Sequence, residues 1–260
     1  MRWWTSVIEN RDDVGMFGPR FLLRHLARLT GAPTVTVDLP RFGRFTMRRG
    51  ESDMYCVRQV LGGGDYDLSI YPDVHARVRA RCDAILARGH KPIVIDGGAN
   101  IGAASRWFRW EWPAAIVVAV EPDPRSIATL RLNLAGDSDV RILHAALGSE
   151  RGKVAVIEED LSWASRTARA EDGVPMVTID DAIAVAGDGE PFLCKLDIEG
   201  FEEDLFARNL DWIERFPVVV IEPHDWLMPG RGTSLPFQKA MAARNYELVI
   251  RNENLFFLKL

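Results

Sequence analysis

The stretch that decides the fold runs from Lys91 to Gly102 and reads KPIVIDGGANIG. Its short apolar run is bounded by turn residues, which is typical of a core strand in a parallel sheet. Asp96 follows the strand, and the glycines after it allow a tight turn and a close approach of the backbone to a ligand. A helix predicted to begin at Gly102 would point its amide groups at the same place. The stretch therefore predicts a crevice for a nucleoside-like cofactor.

Downstream of this stretch, strand-like and helical patterns alternate. We predict strands at 93–96, 116–121, 140–144, 192–197 and 217–222. The intervening helices are predicted at 102–110, 124–135, 178–186 and 201–208, with two further strand-like pieces at 154–158 and 174–178. The chain ends with a predicted helix at 235–244 and a hairpin of 246–250 and 255–258. This alternation predicts an α/β fold whose mostly parallel sheet ends in an antiparallel hairpin, which is unusual for a nicotinamide-binding domain.

The first 90 residues carry a different pattern. We predict a helix at 20–29, hairpin strands at 34–39 and 44–47, and helices at 54–61 and 77–87. This mixture of helices and one hairpin differs from the regular alternation that follows. We therefore predict an N-terminal α+β extension or cap over 1–90 and a cofactor-binding domain over 91–260.

The composition excludes several classes of protein. Apolar residues make up 47% of the 260 residues, which is enough for a sizeable core, and the net charge of −5 argues against a nucleic-acid binder with a broad basic face. Cys56, Cys82 and Cys194 are scattered singly, without zinc spacing. We find no apolar run of the length that spans a bilayer and no signal-peptide pattern, so we expect a cytoplasmic protein. A homodimer remains open.

The cofactor is not predicted to be a dinucleotide. Gly97, Gly98 and Gly102 do not have the G-x-G-x-x-G spacing, and an acid, Asp96, directly precedes the turn. The pattern Asp96-x-Gly98-x-Asn100-x-Gly102 instead resembles motif I of the class I methyltransferases that use S-adenosylmethionine. In that resemblance Asp96 faces the methionine amino group, directly or through water, and the two glycines let the backbone pass close to the ligand. Asn100 stands where many relatives have glycine.

Two further strand ends complete the predicted cofactor pocket. Glu121 and Pro122 follow the second strand, and a carboxylate there can accept hydrogen bonds from both ribose hydroxyls. Ala145 and Ala146 follow the third strand, and such small residues suit a slot for a flat adenine ring. A backbone N–H of either alanine would meet a ring nitrogen. The alternative for Glu121 is a cap on the helix that follows it.

Several segments in order resemble the FkbM-type methyltransferases. They are Asp53 with Gly64-Asp65-Tyr66, the run 95–102, Ala119 to Pro122, Val177 to Asp181, Lys195-Leu196-Asp197-Ile198-Glu199-Gly200-Phe201-Glu202, and Val220 to His224. The resemblance covers about residues 45–258, and the K-x-D-x-E-G-x-E run is its most specific part. It implies a Rossmann-like, seven-stranded class I methyltransferase sheet. It also implies methyl transfer from S-adenosylmethionine to a hydroxyl of a sugar, glycan or secondary metabolite.

The last two parallel strands bring acids and a histidine to the same edge of the sheet. These residues are Asp197, Glu199, Glu222 and His224. We predict His224 as the general base, because its ordinary pKa is near neutrality, with Asp197 or Glu222 orienting its ring. Glu199 and Glu222 are predicted to contact the substrate, and Asp197 also to lie at the cofactor. Three carboxylates and one histidine are also compatible with a bound cation such as Mg²⁺ or Ca²⁺. No ligand spacing requires a metal, however, and none is predicted.

The acceptor is predicted to meet residues in two loops. Trp163 and Arg166 lie in a long polar connection that is a candidate lid, and Trp226 lies in the loop after His224. Lys195 is predicted to pair with a carboxylate at the edge of the core. The leading hypothesis is an O-methyltransferase acting on a small-molecule or saccharide hydroxyl. A nicotinamide-dependent oxidoreductase and a non-catalytic cofactor-binding partner protein are the alternatives.

Overall fold

The N-terminal part of the chain forms a hairpin and helices. The computed structural model of the protein describes residues 12–25, 31–157 and 166–260. Residues 12–17 are helical, and Pro19–His25 form a 3₁₀-helix where the sequence predicts an α-helix that extends outside the described residues. The predicted hairpin is confirmed as β1 (Thr34–Leu39) and β2 (Gly43–Arg48). The next elements are α1 (Asp53–Cys56), a π-helix (Val57–Gly62) and α2 (Pro72–Ala87).

A seven-stranded sheet forms the centre of the protein. Its strands are β3 (Pro92–Gly97), β4 (Ile116–Glu121), β5 (Val140–His144), β10 (Glu190–Leu196), β11 (Val218–Ile221), β12 (Tyr246–Arg251) and β13 (Asn254–Lys259). Their order is β12-β13-β11-β10-β3-β4-β5. The strands from β11 to β5 are parallel, and β13 pairs antiparallel with β11 and β12. The predicted fold class, a mostly parallel α/β sheet with a C-terminal antiparallel hairpin, is confirmed.

A second, smaller sheet lies in the connection between β5 and β10. It contains β6 (Ala146–Leu147), β7 (Gly152–Ile157), β8 (Arg166–Arg169) and β9 (Val174–Val177), in the order β6-β9-β7-β8. The two strand-like pieces predicted in this connection are confirmed as β7 and β9. The sequence pattern did not predict β8, which pairs antiparallel with β7 and occupies the end of the predicted lid.

Among the described residues, five further helices cover the sheet, and two of them begin at a side-chain cap. They are α3 (Ala103–Glu111), α4 (Pro124–Asn133), α5 (Ile179–Val185), α6 (Glu202–Leu205) and α7 (Leu235–Ala242), with a 3₁₀-helix at Leu210–Arg215. The Asp123 carboxylate accepts a hydrogen bond from the Arg125 N–H at the start of α4. Thr178 and Asp181 form a capping box at α5. The helix predicted at 201–208 is wrong in length, because the chain turns after α6 through Asn209 in a left-handed conformation.

Both faces of the sheet are covered. Successive side chains of β3 point to opposite faces, and each set is buried in a different core. Val94 belongs to a core with α3 and the N-terminal hairpin, whereas Ile93 and Ile95 belong to a core with α5 and α7. The Asn133 amide at the end of α4 connects this helix to the hairpin, since it accepts a hydrogen bond from the Thr46 N–H and donates one to the Thr46 carbonyl.

The division of the chain at residue 90 stays a prediction. None of the helices in the described ranges has both the length and the apolar character needed to cross a membrane.

Candidate active site

A crevice opens at the carboxyl ends of β3, β4 and β10. The residues that line it come from these strand ends and from the connection after β5: Gly98, Asn100, Val120, Glu121, Pro122, Asp123, Ser126, Ala146, Leu147, Thr167, Asp197, Ile198, Glu199 and Phe201. The neighbours of β3 are β4 on one side and β10 on the other, so the crevice lies at the topological switch point of the sheet.

The turn after β3 forms the floor of this crevice. Gly98 has a φ of 72° and Asn100 a φ of 48°, both in the left-handed region. The N–H groups of Gly98 and Ala99 donate to the Val120 carbonyl at 3.0 and 3.1 Å, which fixes the turn against β4. Gly102, with a φ of 89°, precedes α3 and packs against Leu130. Of the two glycines predicted to meet the cofactor, Gly98 lines the crevice, whereas Gly102 has a packing position.

Glu121 lies at the end of β4 with its carboxylate in the crevice wall. Its two oxygens accept hydrogen bonds from the Asn100 N–H at 2.7 Å and the Asp123 N–H at 2.8 Å. A carboxylate has about four acceptor positions, so each oxygen retains one for a ligand. Burial raises the pKa of Glu121 to about 7, against the opposing effect of these two backbone donors. The predicted helix-cap alternative is not observed, because Asp123 caps α4.

Asp96 is buried beside the crevice. Its carboxylate is fully buried, accepts a hydrogen bond from Ser105 Oγ at 2.6 Å and pairs with Lys195 Nζ at 3.0 Å. Lys195 is itself buried and also donates to the Gly98 carbonyl at 2.8 Å. The structure thus contains the expected pairing of Lys195 with a carboxylate. Asp96 is not among the described residues that line the crevice, so its predicted contact with the methionine amino group stays a prediction.

The two alanines after β5 differ in their positions. The N–H of Ala145 donates to the Glu121 carbonyl at 3.2 Å, so this group is already used within the protein. Ala146 lines the crevice next to Leu147. The adenine slot at Ala146 stays a prediction, and the Ala145 N–H is not available to a ring nitrogen in this arrangement.

The predicted acidic edge is brought together around His224. The imidazole is 2% exposed, with Nδ1 at 2.9 Å from Glu202 Oε1. Its Nε2 lies 3.3 Å from Asp197 Oδ1 and 3.6 Å from Glu199 Oε2. Glu222 follows β11 and is partly buried near Asp197, but it is not among the described residues that line the crevice. The partner Glu202 was not predicted as a site residue, although it belongs to the K-x-D-x-E-G-x-E run.

The charges of this edge affect the protonation of His224. Burial lowers the pKa of His224, but hydrogen bonds with Asp197 and Glu202 outweigh it and raise the pKa to about 11. Burial also opposes ionisation of Asp197, yet Lys195 and His224 hold the pKa of that carboxyl well below its usual range. Burial and the Asp197 charge raise the pKa of Glu199 to about 9. While both nitrogens of His224 carry a proton, the ring has no lone pair for a substrate proton, and its predicted role as the base stays a prediction.

Glu222 completes the charge distribution at this edge. The nearby charge of Asp197, together with burial, raises the pKa of Glu222 to about 8. A carboxyl group that is partly protonated near neutral pH can donate as well as accept hydrogen bonds. The predicted substrate contact through Glu222 stays a prediction.

A second, wider crevice adjoins the first. It is lined by Thr167, Ala168, Glu199, Gly200, Phe201, Glu203, Asp204, Ala207, Met228 and Arg231. Thr167, Glu199 and Phe201 line both crevices, so the two crevices meet at these residues.

Three residues outside the acidic edge were predicted to contact the acceptor. Trp163 lies outside the described residues. Arg166 begins β8, but its side chain is not described, and the exposed Trp226 is not among the residues that line either crevice.

An ion pair from the N-terminal region supports the turn at Asn100. The Arg48 guanidinium donates to both oxygens of Asp53, which is fully buried. The same guanidinium donates to Asn100 Oδ1 and Ser126 Oγ, at 3.2 Å each. Asp53 was noted in the sequence because it lies in a segment that resembles the FkbM family. No sequence pattern pointed to Arg48 as a site residue. The pair connects β2 to the residue whose N–H contacts Glu121.

The fold and the site define the class of this protein as an α/β protein with the seven-stranded sheet of the class I methyltransferases. The family model described as "Methyltransferase FkbM domain" matches residues 96–247, which is more than half of the chain. The chain therefore belongs to the FkbM methyltransferase family. The resemblance predicted from the sequence is confirmed.

Among individual proteins, the chain is similar to the 2-O-methyltransferase NoeI of Sinorhizobium fredii (strain NBRC 101917 / NGR234). The two are 26% identical over 155 residues, which is 52% of this chain and 64% of that relative. Among solved structures, the chain is similar to monomeric WbdD, with 14% identity, a TM-score of 0.40, and coverage of 74% of this chain and 41% of that chain. It is also similar to the S-adenosylhomocysteine-bound methyltransferase PaMTH1 of Podospora anserina, with 11% identity, a TM-score of 0.39, and coverage of 70% and 77%.

Proposed function

We propose that this protein is an S-adenosylmethionine-dependent O-methyltransferase that acts on a hydroxyl of a saccharide or of a secondary metabolite. The observation that carries the proposal is that the crevice at the strand ends adjoins a wider one at Glu199, Phe201 and Thr167, which line both. Methyl transfer needs two ligands whose reacting atoms touch, as they can where two crevices join. Membership of the FkbM family and the similarity to an O-methyltransferase support the same reaction.

The first crevice fits the adenosyl part of the cofactor. Glu121 retains one acceptor position on each oxygen, which matches the two hydroxyls of a ribose. Ala146 presents no side chain beyond Cβ, so a flat ring can lie against it. Gly98 and Asn100 expose the turn backbone to the ligand. In the proposal these residues hold the cofactor so that its reactive end points toward Asp197.

The chemistry needs position more than activation. S-adenosylmethionine supplies, when bound, a methyl group that its sulfonium already makes electrophilic. The protein holds the acceptor hydroxyl in line with that methyl, and orientation of this kind contributes about 7–11 kcal/mol of barrier lowering. Asp197 lines the crevice as an ionised carboxylate and accepts the proton that the hydroxyl loses. His224 acts as a positioning residue, because its Nε2 faces the Asp197 carboxylate.

The second crevice fits a hydroxylated acceptor. Its wall combines acidic and basic side chains, Glu203 and Arg231, with the apolar Phe201 and Met228. Saccharides present both hydroxyls and apolar ring faces, which such a mixed wall recognises. The proposed acceptor is therefore a sugar or a comparably hydroxylated natural product.

Calorimetry and turnover together test this proposal. Calorimetry of the protein with S-adenosylmethionine, S-adenosylhomocysteine and NAD is expected to show binding of the first two alone. Glu121→Ala is expected to weaken that binding by roughly tenfold to a hundredfold, because a hydrogen bond to a charged group contributes about 1.5–3 kcal/mol. Binding of NAD without a response to the other two would favour the oxidoreductase instead. If cofactor binds but a panel of sugar and polyketide hydroxyls releases no S-adenosylhomocysteine, the non-catalytic alternative gains.

A further inference from the structure

The cluster of Asp197, Glu199 and His224 has the composition and geometry of a metal site. We propose that these three side chains bind one divalent first-row transition ion, with Mn²⁺ as its representative, where the two crevices meet. Asp197 Oδ1, Glu199 Oε2 and His224 Nε2 are the proposed ligand atoms. Each of the three residues offers a ligand atom, and these atoms all lie within 4.8 Å of one another.

Two distances within the cluster are close to those of a coordination shell. His224 Nε2 is 3.3 Å from Asp197 Oδ1 and 3.6 Å from Glu199 Oε2. Bonds of about 2.1 Å from an ion to each ligand place neighbouring ligand atoms ~3.0 Å apart at right angles and ~3.4 Å apart in a tetrahedron. The two distances from Nε2 are therefore close to those expected around a common ion, and the cluster as a whole lies within 4.8 Å.

The other nitrogen of the imidazole is fixed as in metal sites. Nδ1 lies 2.9 Å from Glu202 Oε1, and Glu202 is 1% exposed. A histidine that binds a metal through one nitrogen almost always donates the other N–H to a carboxylate or carbonyl, which fixes the ring and its tautomer. Glu202 thus holds Nε2 toward Asp197 and Glu199. This buried carboxylate is independent evidence, because it is not one of the proposed ligands.

A buried acceptor atom of Glu199 also points to a bound cation. Glu199 Oε2 is buried and has no hydrogen-bond partner among the described residues. An unsatisfied buried carboxylate oxygen costs free energy that a cation would offset. Glu199 Oε2 is the atom that faces His224 Nε2. The group that would satisfy it is therefore expected at the centre of the cluster.

The ligand set selects the class of ion. Mg²⁺ and Ca²⁺ bind through oxygen atoms, whereas imidazole suits first-row transition ions. One nitrogen with two carboxylates favours Mn²⁺, Fe²⁺ or Zn²⁺ over the alkaline-earth ions. Asp197 and Glu199 line the first crevice, so an open coordination position on the ion faces the place where the two ligands meet. The sequence analysis treated a bound cation as an alternative and did not predict one, so this proposal goes beyond it.

The catalytic consequence rests on the proposed function. The acceptor oxygen would occupy the open position of the ion, which lowers the pKa of the hydroxyl. The O–H bond then breaks with its proton passing to Asp197 Oδ2, and the oxygen forms the new bond to the methyl carbon as the carbon–sulfur bond breaks. Asp197 Oδ2 is not a proposed ligand atom; Lys195 Nζ lies 3.5 Å from it, and the oxygen retains an acceptor position for the proton.

Mn²⁺ binding tests the site without any reaction. The full chain is freed of metal with EDTA and titrated with MnCl₂ without cofactor or acceptor, and the free ion is followed by electron paramagnetic resonance. We expect one tight Mn²⁺ per chain and an electron spin echo modulation from a coordinated histidine nitrogen. Glu199→Gln is expected to raise the dissociation constant at least tenfold, since even loss of an outer partner costs about 10–100-fold. His224→Gln is expected to remove the nitrogen signal.

Glu203→Gln is the matched control. Glu203 neighbours this segment but pairs with Arg231 at the surface, so its substitution is expected to leave Mn²⁺ affinity unchanged. Absence of stoichiometric Mn²⁺ binding to the wild-type chain overturns the site, and so does binding that lacks the nitrogen signal or survives Glu199→Gln unchanged. These outcomes do not depend on methyl transfer. If the ion binds as expected but no acceptor is methylated, the proposed function fails and the metal site stands.

Discussion

The substitution Gly98→Ala tests the packing on which the crevice depends. Gly98 has a φ of 72°, and a Cβ built there would overlap the carbonyl oxygen of Asp197. The left-handed conformation costs a residue with a side chain about 1–2 kcal/mol. Overpacking against a backbone atom adds about 1–3 kcal/mol, which gives ~2–5 kcal/mol in total. Because the overlapping atom belongs to the backbone of β10's end, the strain is relieved by moving Asp197 away from its partners.

Gly89→Ala separates the two contributions. Gly89 has a φ of 84°, but nothing lies within 4 Å of the position of its Cβ. Its substitution therefore carries the conformational cost alone, about 1–2 kcal/mol. For a chain of this size 1 kcal/mol lowers the melting temperature by about 2–4 °C, so we expect a fall of ~2–8 °C for Gly89→Ala and ~4–20 °C for Gly98→Ala. Melting followed by circular dichroism measures both. Equal melting temperatures for the two variants would refute the close approach of Gly98 to Asp197.

Three other predictions follow from buried polar groups. Affinity for S-adenosylhomocysteine is expected to rise with pH through about 7, because the ionised form of Glu121 accepts two hydroxyls and its pKa is raised to about 7; Glu121→Gln should weaken binding and flatten the profile in calorimetry. Lys195→Met leaves the buried Asp96 uncompensated, which should cost about 3–5 kcal/mol of unfolding free energy, measured by melting. Asn133→Ala removes both hydrogen bonds to Thr46, and limited proteolysis should then cleave the β1–β2 hairpin faster.

Each of these predictions has a control or a contradicting result. Glu171→Gln alters an exposed acid and should leave the pH profile of binding intact. If that profile is already flat in the wild-type chain, Glu121 does not contact the ligand as an ionised carboxylate. Lys153→Met removes a half-exposed lysine and should barely change the melting temperature. A hairpin that resists protease equally in Asn133→Ala would show that apolar packing alone holds it.

The sequence predicted the sheet well because burial on both faces requires continuous apolar runs. β3 and β4 are buried along their whole length, and this is what the runs at 93–96 and 116–121 indicated. The helix at 201–208 was less predictable, since Asn209 redirects the chain after one turn of α6. The strand β8 was missed because its four residues, Arg-Thr-Ala-Arg, lack a clear apolar alternation.

The sequence predicted which residues lie at the candidate site better than it predicted their roles. Glu121, Gly98 and Asn100 line the crevice because parallel strands bring their carboxyl ends to one edge. The state of His224 depends instead on which carboxylates lie at its two nitrogens, and Glu202 reaches Nδ1 from a helix 22 positions earlier in the chain. The Arg48–Asp53 pair depends on how the hairpin docks beside Asn100. Such contacts are set by tertiary packing, which spacing within one segment does not encode.

Lys195 explains how two acidic strand ends can lie side by side. Asp96 and Lys195 are partners in the register of β3 and β10, and Asp197 follows Lys195 by two positions. Without a cation between them, the two carboxylates would repel each other in a poorly solvated edge. Lys195 Nζ lies 3.0 Å from Asp96 and 3.5 Å from Asp197, and it also donates to the carbonyl of Gly98. One buried ammonium thus connects the cofactor turn to the acidic edge, so a displacement of either is transmitted to the other.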